Sequence, residues 1–251
     1  MSLTDPMKPA LKSKTNPAPL LAFGAHPDDI EFGCGGVVAS ETQDGRAAHF
    51  VVCSRGEAAT HGTPAQRARE AKRAAKLLGA TVEFVGLGGD AHIAASVART
   101  LKLAAIIRRV RPDYVLAPSV VENQHPDHIA LGRMVRDAAR LARYGSVKEL
   151  KRLPPHAIGQ LLFYAVTPEA EPANLARVLI DISAPEVLAA WTAAMAAHVS
   201  QTQARRYVEL QLTRARLHGL RCGVGHAIAL FPNDPLRFDS LEQLGGAARR
   251  F

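Results

Sequence analysis

The stretch FGAHPDDIEFGCGG, residues 23–36, puts a histidine, a proline and two adjacent aspartates at the end of an apolar run, PLLAFGA (19–25). A short, continuous apolar run is the signature of a strand buried on both faces. A second stretch, NQHPDHIALG (123–132), repeats His-Pro-Asp after another such run, DYVLAPS (113–119), so that His26 and His125 stand 99 residues apart. Two further strands are expected between the motifs, over 47–54 and 81–87. Helical patterns occupy 33–42, 64–78, 96–110 and 127–144. This alternation predicts an α/β fold: a Rossmann-like, mostly parallel sheet with helices on both faces. In the strand order 3-2-1-4-5, strands one and four are neighbours where the order reverses. Ligands of open α/β sheets bind there, beyond the carboxyl ends of the strands. Both His-Pro-Asp segments then converge on that point. After Tyr144 the pattern loosens into two expected strands (159–166 and 176–183) and one or two helices over 185–217, read as a C-terminal extension.

The 251 residues are 47% hydrophobic, enough for a sizeable core. Residues 1–18 are polar and proline-rich and are read as a disordered tail; 19–251 are read as a single domain. No stretch has the length and apolarity of a membrane span or a signal-peptide core. Cys34, Cys53 and Cys222 form no CxxC pair, which fits a reducing, cytoplasmic setting. The net charge of +8 comes largely from clusters over 67–76, 133–143 and 148–152. These read as solvated helix faces. With aromatics at 5% and no basic-aromatic interleaving, nucleic acid is not an expected partner.

The motifs carry metal chemistry. His26 and Asp29 are three residues apart, as are His125 and His128, so each pair falls on one side of a first helical turn. Pro27 and Pro126 suit the start of a helix. Imidazole nitrogen and carboxylate oxygen are normal zinc ligands, and a catalytic zinc takes three protein ligands and leaves one position open. His26, Asp29 and His128 supply that set. Asp28 is left to take a proton from water, and His125, with Asp127 nearby, to donate one or to polarise a carbonyl. Helix capping accounts for Asp28 or Asp127 alone, but not for the repeated motif. The glycines of GCGG lack the GxGxxG spacing of a dinucleotide loop and are read as packing residues. Cys34 has no activating base in view.

These residues resemble the PIG-L/LmbE-like zinc-dependent N-acetylglucosaminyl deacetylases, on AHPDDIEFGCGG and HPDH together. The segment 54–80, with SRGE, and the stretches RPDYVLAPS, IDIS and AAHVSQ resemble further parts of that family. Ile30 directly after HPDD resembles the bacterial branch of bacillithiol-pathway deacetylases. The resemblance implies a hydrolase that removes an N-acetyl group from an amino-sugar conjugate. It implies a metal site of His26, Asp29 and His128, holding Zn2+ or alternatively Fe2+, with His125 outside it. Asp28 would be the general base, His125 the acid or oxyanion stabiliser tuned by Asp127, and Arg55 a substrate-binding residue. It also implies a homo-oligomer, a trimer or hexamer. Departures fall near Trp191, where a lysine is usual, and at Ile228, where glutamate is common. The competing classes are a dinucleotide-binding Rossmann-like protein and a non-catalytic metal-binding protein. The absent phosphate loop counts against the first, and the complete set of ligands, base and acid against the second.

Overall fold

The computed structural model describes residues 17–203 and 206–245. Its strands are β1 (Leu20–Gly24), β2 (Ala48–Val52), β3 (Ala80–Phe84), β4 (Tyr114–Pro118), β5 (Gln160–Tyr164), β6 (Val178–Asp181) and β7 (Ala227–Pro232). They form one sheet in the order β3-β2-β1-β4-β5-β7-β6. The first five are parallel, in the expected 3-2-1-4-5 order. β7 runs antiparallel to both β5 and β6. The expected tail lies outside the described residues up to position 16.

The helices are α1 (Asp29–Gln43), α2 (Pro64–Leu77), α3 (Val97–Val110), α4 (Pro126–Arg143), α5 (Pro185–Ala196), α6 (Val199–Thr202), α7 (Tyr207–Cys222) and α8 (Glu242–Gly245). Successive residues of β1 face opposite sides of the sheet, and both sides are buried. Leu21 and Phe23 join a core with Leu103 and Ile107 of α3 and Leu131 and Met134 of α4. Leu20 and Ala22 join another with Ile30 and Val38 of α1, Trp191 of α5 and Ala215 of α7. A strand sealed on both faces has to be a continuous apolar run, which is why β1 and β4 stand out in the sequence.

Three elements differ from the sequence expectation. Helix α1 begins at Asp29, four residues early, and takes the glycines inside it. A Cβ on Gly33 would lie 2.1 Å from the ring of Tyr164, and one on Gly35 2.9 Å from Trp191. Glycine costs about 1 kcal/mol in a helix, and here it admits two large aromatic rings against the helix backbone. The segment expected as one or two helices divides into α5, α6 and α7, with a break at His198, where ψ reaches 60°. Strand β7 is additional to the expected strands, although AIALFP is a short apolar run; it fills the gap between β5 and β6.

Candidate active site

Both His-Pro-Asp segments leave the carboxyl ends of adjacent parallel strands, β1 and β4. Each proline opens or precedes a helix, and the flanking side chains are thrown into one cluster. Gly132, one turn after His128, lets α4 approach the sheet closely; a Cβ there would sit 2.3 Å from the Pro118 carbonyl oxygen.

Asp29 accepts hydrogen bonds on Oδ2 from the backbone N–H groups of Ala25 (2.8 Å) and His26 (2.9 Å). That fixes the carboxylate and presents Oδ1, which lies 3.1 Å from His128 Nε2. His26 Nδ1 lies 3.2 Å from the same His128 nitrogen and 3.6 Å from Asp29 Oδ2. Donors bound at 2.0–2.1 Å on a tetrahedral ion are separated by about 3.3 Å. His26, Asp29 and His128 therefore have the chemistry and the spacing of one face of such a site, and all three are buried.

The other nitrogen of His26 explains two more aspartates. Nε2 lies 3.0 Å from Asp90 Oδ1 and 3.2 Å from Asp127 Oδ2. The neighbouring carboxylates accept the Nε2–H hydrogen bond, which keeps the proton on Nε2 and leaves the Nδ1 lone pair for a metal, the usual outer support of a histidine ligand. A second possible cluster, His26, Asp90 and His125, would use the nitrogen that these carboxylates hold protonated. Asp127 is buried and accepts backbone bonds from Ala91 (2.7 Å) and Ile93 (3.2 Å). It reaches His125 only through its own backbone N–H, which donates to His125 Nδ1 at 3.2 Å. The neutral His125 ring thus carries its proton on Nε2.

The electrostatics follow. Burial works to lower the pKa of His26, but Asp29, Asp127 and Asp90 overcome it and push it up to about 12. Burial works to raise Asp29, yet His128 and His26 hold it well below the usual carboxylate range. A cluster that so favours positive charge is suited to a cation. His125 is lowered, first by burial and then by His26 and His128, with Asp127 opposing. Burial pushes Asp28 up to about 6, against Arg67.

Asp28 caps α1 at φ 148°, in the left-handed half of the map where a non-glycine residue is strained. Its Oδ2 accepts a hydrogen bond from Arg67 at 3.1 Å; Oδ1 has no hydrogen bond among the described residues. Arg67 is only 4% exposed, unlike the solvated face expected of its basic cluster. Arg55 is not brought to the cluster. Its side chain is exposed, and its guanidinium lies 5.6 Å from the centre of the Phe84 ring.

His26, Asp28, Asp29, Arg67, Asp90, His125 and His128 line a cavity of about 440 Å³ that also includes Phe32, Gln124, Val166, Thr167, Tyr207 and Gln211. The α5–α6 segment supports the first turn of α1 and α2 from behind. Trp191 Nε1 donates to the Glu31 carbonyl oxygen (2.7 Å), buried His198 lies 3.4 Å from the Glu31 carboxylate, and Ser200 Oγ donates to Glu70 (2.6 Å). Sequence reasoning missed Arg67, Asp90 and Gln211. A signal existed for Gln211: with Ala215 and His218 it forms a buried i, i+4, i+7 stripe on α7.

The model of the family described as "PIG-L: GlcNAc-PI de-N-acetylase" matches residues 21–139, which hold both motifs. The chain is similar to a 4-oxalmesaconate hydratase of Pseudomonas putida, 31% identical over 160 residues, 59% of this chain and 60% of the relative. It is 27% identical over 157 residues to a diacetylchitobiose deacetylase of Thermococcus kodakarensis, 58% of this chain and 59% of the relative. It is 30% identical over 149 residues to the uncharacterised deacetylase YaiS of Escherichia coli, 58% of this chain and 72% of the relative. The crystal structure of the conserved protein TT1542 from Thermus thermophilus matches with a TM-score of 0.77 at 32% identity, over 87% of this chain and 96% of that one. The chain belongs to the PIG-L family. The alignments to the hydratase and to the chitobiose deacetylase span about three fifths of each relative's length. Among the described residues no helix of this PIG-L protein is long and apolar enough to cross a membrane.

Proposed function

We propose that the chain is a zinc-dependent N-deacetylase that hydrolyses the acetamide of an N-acetylglucosamine-type conjugate to a free amine and acetate. The observation that carries this reading is a three-donor metal set beside a strained, partly hydrogen-bonded carboxylate and a histidine, all opening on one cavity. His26 Nδ1, Asp29 and His128 Nε2 would hold the ion. When bound, a divalent ion supplies Lewis acidity, polarising the amide carbonyl and lowering the pKa of water. Asp28 receives the proton of the attacking water on Oδ1, while Arg67 keeps Oδ2 occupied and the carboxylate oriented. His125 donates a hydrogen bond from Nε2 to the developing oxyanion, and the proton that Asp28 has taken from water passes to the leaving nitrogen. Asp127 and Asp90 act through His26. The family's homo-oligomeric habit and the unpaired cysteines support a trimer or hexamer in a reducing compartment.

The hydratase relative motivates a second reading, addition of water to a carbon–carbon double bond in a polycarboxylate. Such a substrate calls for cationic partners. The guanidinium lining the described cavity is that of Arg67, already bonded to Asp28, whereas Asp28, Asp29 and Asp90 contribute carboxylates. This balance favours amide hydrolysis. The deciding experiment measures acetate release from a panel of N-acetylglucosaminides alongside the absorbance of an unsaturated polycarboxylate. Metal-dependent acetate release that disappears in Asp28→Asn supports the proposal; absorbance loss without acetate release overturns it.

A further inference from the structure

Two glutamines that line the cavity have their amide nitrogens committed to hydrogen bonds and their carbonyl oxygens buried without a donor. Gln211 is 1% exposed. Its Nε2 donates to the Val166 carbonyl oxygen at 2.8 Å, and its Oε1 is buried without a hydrogen-bond partner. The reverse orientation would set Oε1 against that carbonyl, acceptor to acceptor. Gln124, directly before His125, shows the same arrangement. Its Nε2 donates to the Ser119 carbonyl oxygen and to Ser119 Oγ, and its Oε1 is likewise buried and unpartnered. Ser119 Oγ spends its own proton on the Ala170 carbonyl oxygen at 2.6 Å, so it can only accept from Gln124. Neither amide orientation is free to change. An unmet buried acceptor is costly, and the cost is recovered when a donor arrives.

We infer that Gln124 and Gln211 are specificity residues that accept hydrogen bonds from hydroxyl groups on the part of the substrate beyond the acetamide. They select a neutral, polyhydroxylated conjugate, such as a second sugar ring, over one carrying carboxylates. A carboxylate offers only acceptors and would meet two fixed carbonyls together with the carboxylates of Asp28 and Asp90. This inference rests on the deacetylase reading and names its substrate class.

The test compares N,N′-diacetylchitobiose with the N-acetylglucosaminide of malic acid, using wild type, Gln211→Met and Gln124→Met. Methionine keeps the length and removes the acceptor. Acetate release gives kcat and KM, calorimetry gives binding of both probes, and thermal melting with metal analysis checks the fold and site of each variant. Wild type should favour diacetylchitobiose at least about tenfold in kcat/KM. Each variant should cut that preference about three- to tenfold, mainly through KM, as expected for one neutral hydrogen bond. If Gln211→Met fails to fold, Gln124→Met carries the test alone. An unchanged preference in a folded variant, or a wild-type preference for the malate conjugate, overturns the inference. Calorimetric preference that the variants lose, without acetate release from either probe, sustains it and overturns the deacetylase reading. Acetate release without any preference does the reverse.

Discussion

Asp28→Gly and Asp28→Ala should differ in stability in the sense opposite to the usual one. Both remove the carboxylate and leave buried Arg67 with the same missing partner, so that loss cancels in the comparison. Asp28 makes no side-chain capping bond to α1, so no such bond is lost in either variant. What differs is φ 148°. A residue with a Cβ held there costs about 1–3 kcal/mol, which glycine escapes. Against this, glycine gives the unfolded chain more freedom, worth about 0.4–1 kcal/mol in favour of alanine. The balance leaves Asp28→Gly more stable by about 1–2 kcal/mol. For a chain of this size that amounts to a melting temperature about 2–8 °C higher. Urea denaturation of the two proteins at matched metal content, fixed by elemental analysis, measures the difference directly. Neither variant should hydrolyse amide, since both lack the base. An alanine variant as stable as the glycine variant would refute the idea that strain is stored at the catalytic turn.

Three other outcomes are expected. His26→Ala and His128→Ala should lose most bound metal while His125→Ala keeps it near one ion per chain; elemental analysis after desalting decides, and metal loss in His125→Ala would put that ring in the ligand set. Asp127→Asn and Asp90→Asn should each weaken metal affinity about 10- to 100-fold, because each removes a carboxylate supporting His26; competition with a chromogenic chelator reads this. Glu171, bonded to His218 at 2.9 Å, has its pKa lowered below 4.5, with burial opposing and His218 and Arg214 prevailing. Its stabilisation is therefore present above about pH 4.5 and is lost as pH falls through the lower folded value. Denaturation midpoints between pH 3 and 6 should fall less steeply in Glu171→Gln than in wild type, and parallel slopes would count against that role.

The five parallel strands and the meeting of the two motifs were legible because each depends on local signals. A strand buried on both faces must be apolar throughout, and a repeated tripeptide after two such strands can converge in few ways. The early start of α1 was hidden because glycine is a poor helix former. Only the rings of Tyr164 and Trp191, 131 and 156 residues away from Gly33 and Gly35, make it the fitting residue there. Arg67 read as one more charge on a basic helix, since nothing in its neighbours says that it points inward to Asp28. Asp90 sits in a glycine-rich loop, and its tie to His26 is a purely tertiary contact. Arg55, suggested by resemblance alone, lies on Phe84 instead of in the cavity.

The division of the chain about Arg143 has a consequence for how such proteins diverge. The proposed metal donors, base and oxyanion donor all come from the segment matched by the family model, residues 21–139. Gln211 and Tyr207, in the cavity wall, and Trp191 and His198, behind the catalytic turn, come from the remainder. One gene region can thus conserve a reaction while the other trades recipients for it. Substitutions at 207 and 211 can retune choice without disturbing the chemistry, whereas those at 191 and 198 cannot, because Trp191 holds the carbonyl and His198 faces the carboxylate of Glu31, two residues after Asp29. Grafting α7 from one relative onto another, with α5 and α6 left in place, is then the shortest route to a new selectivity.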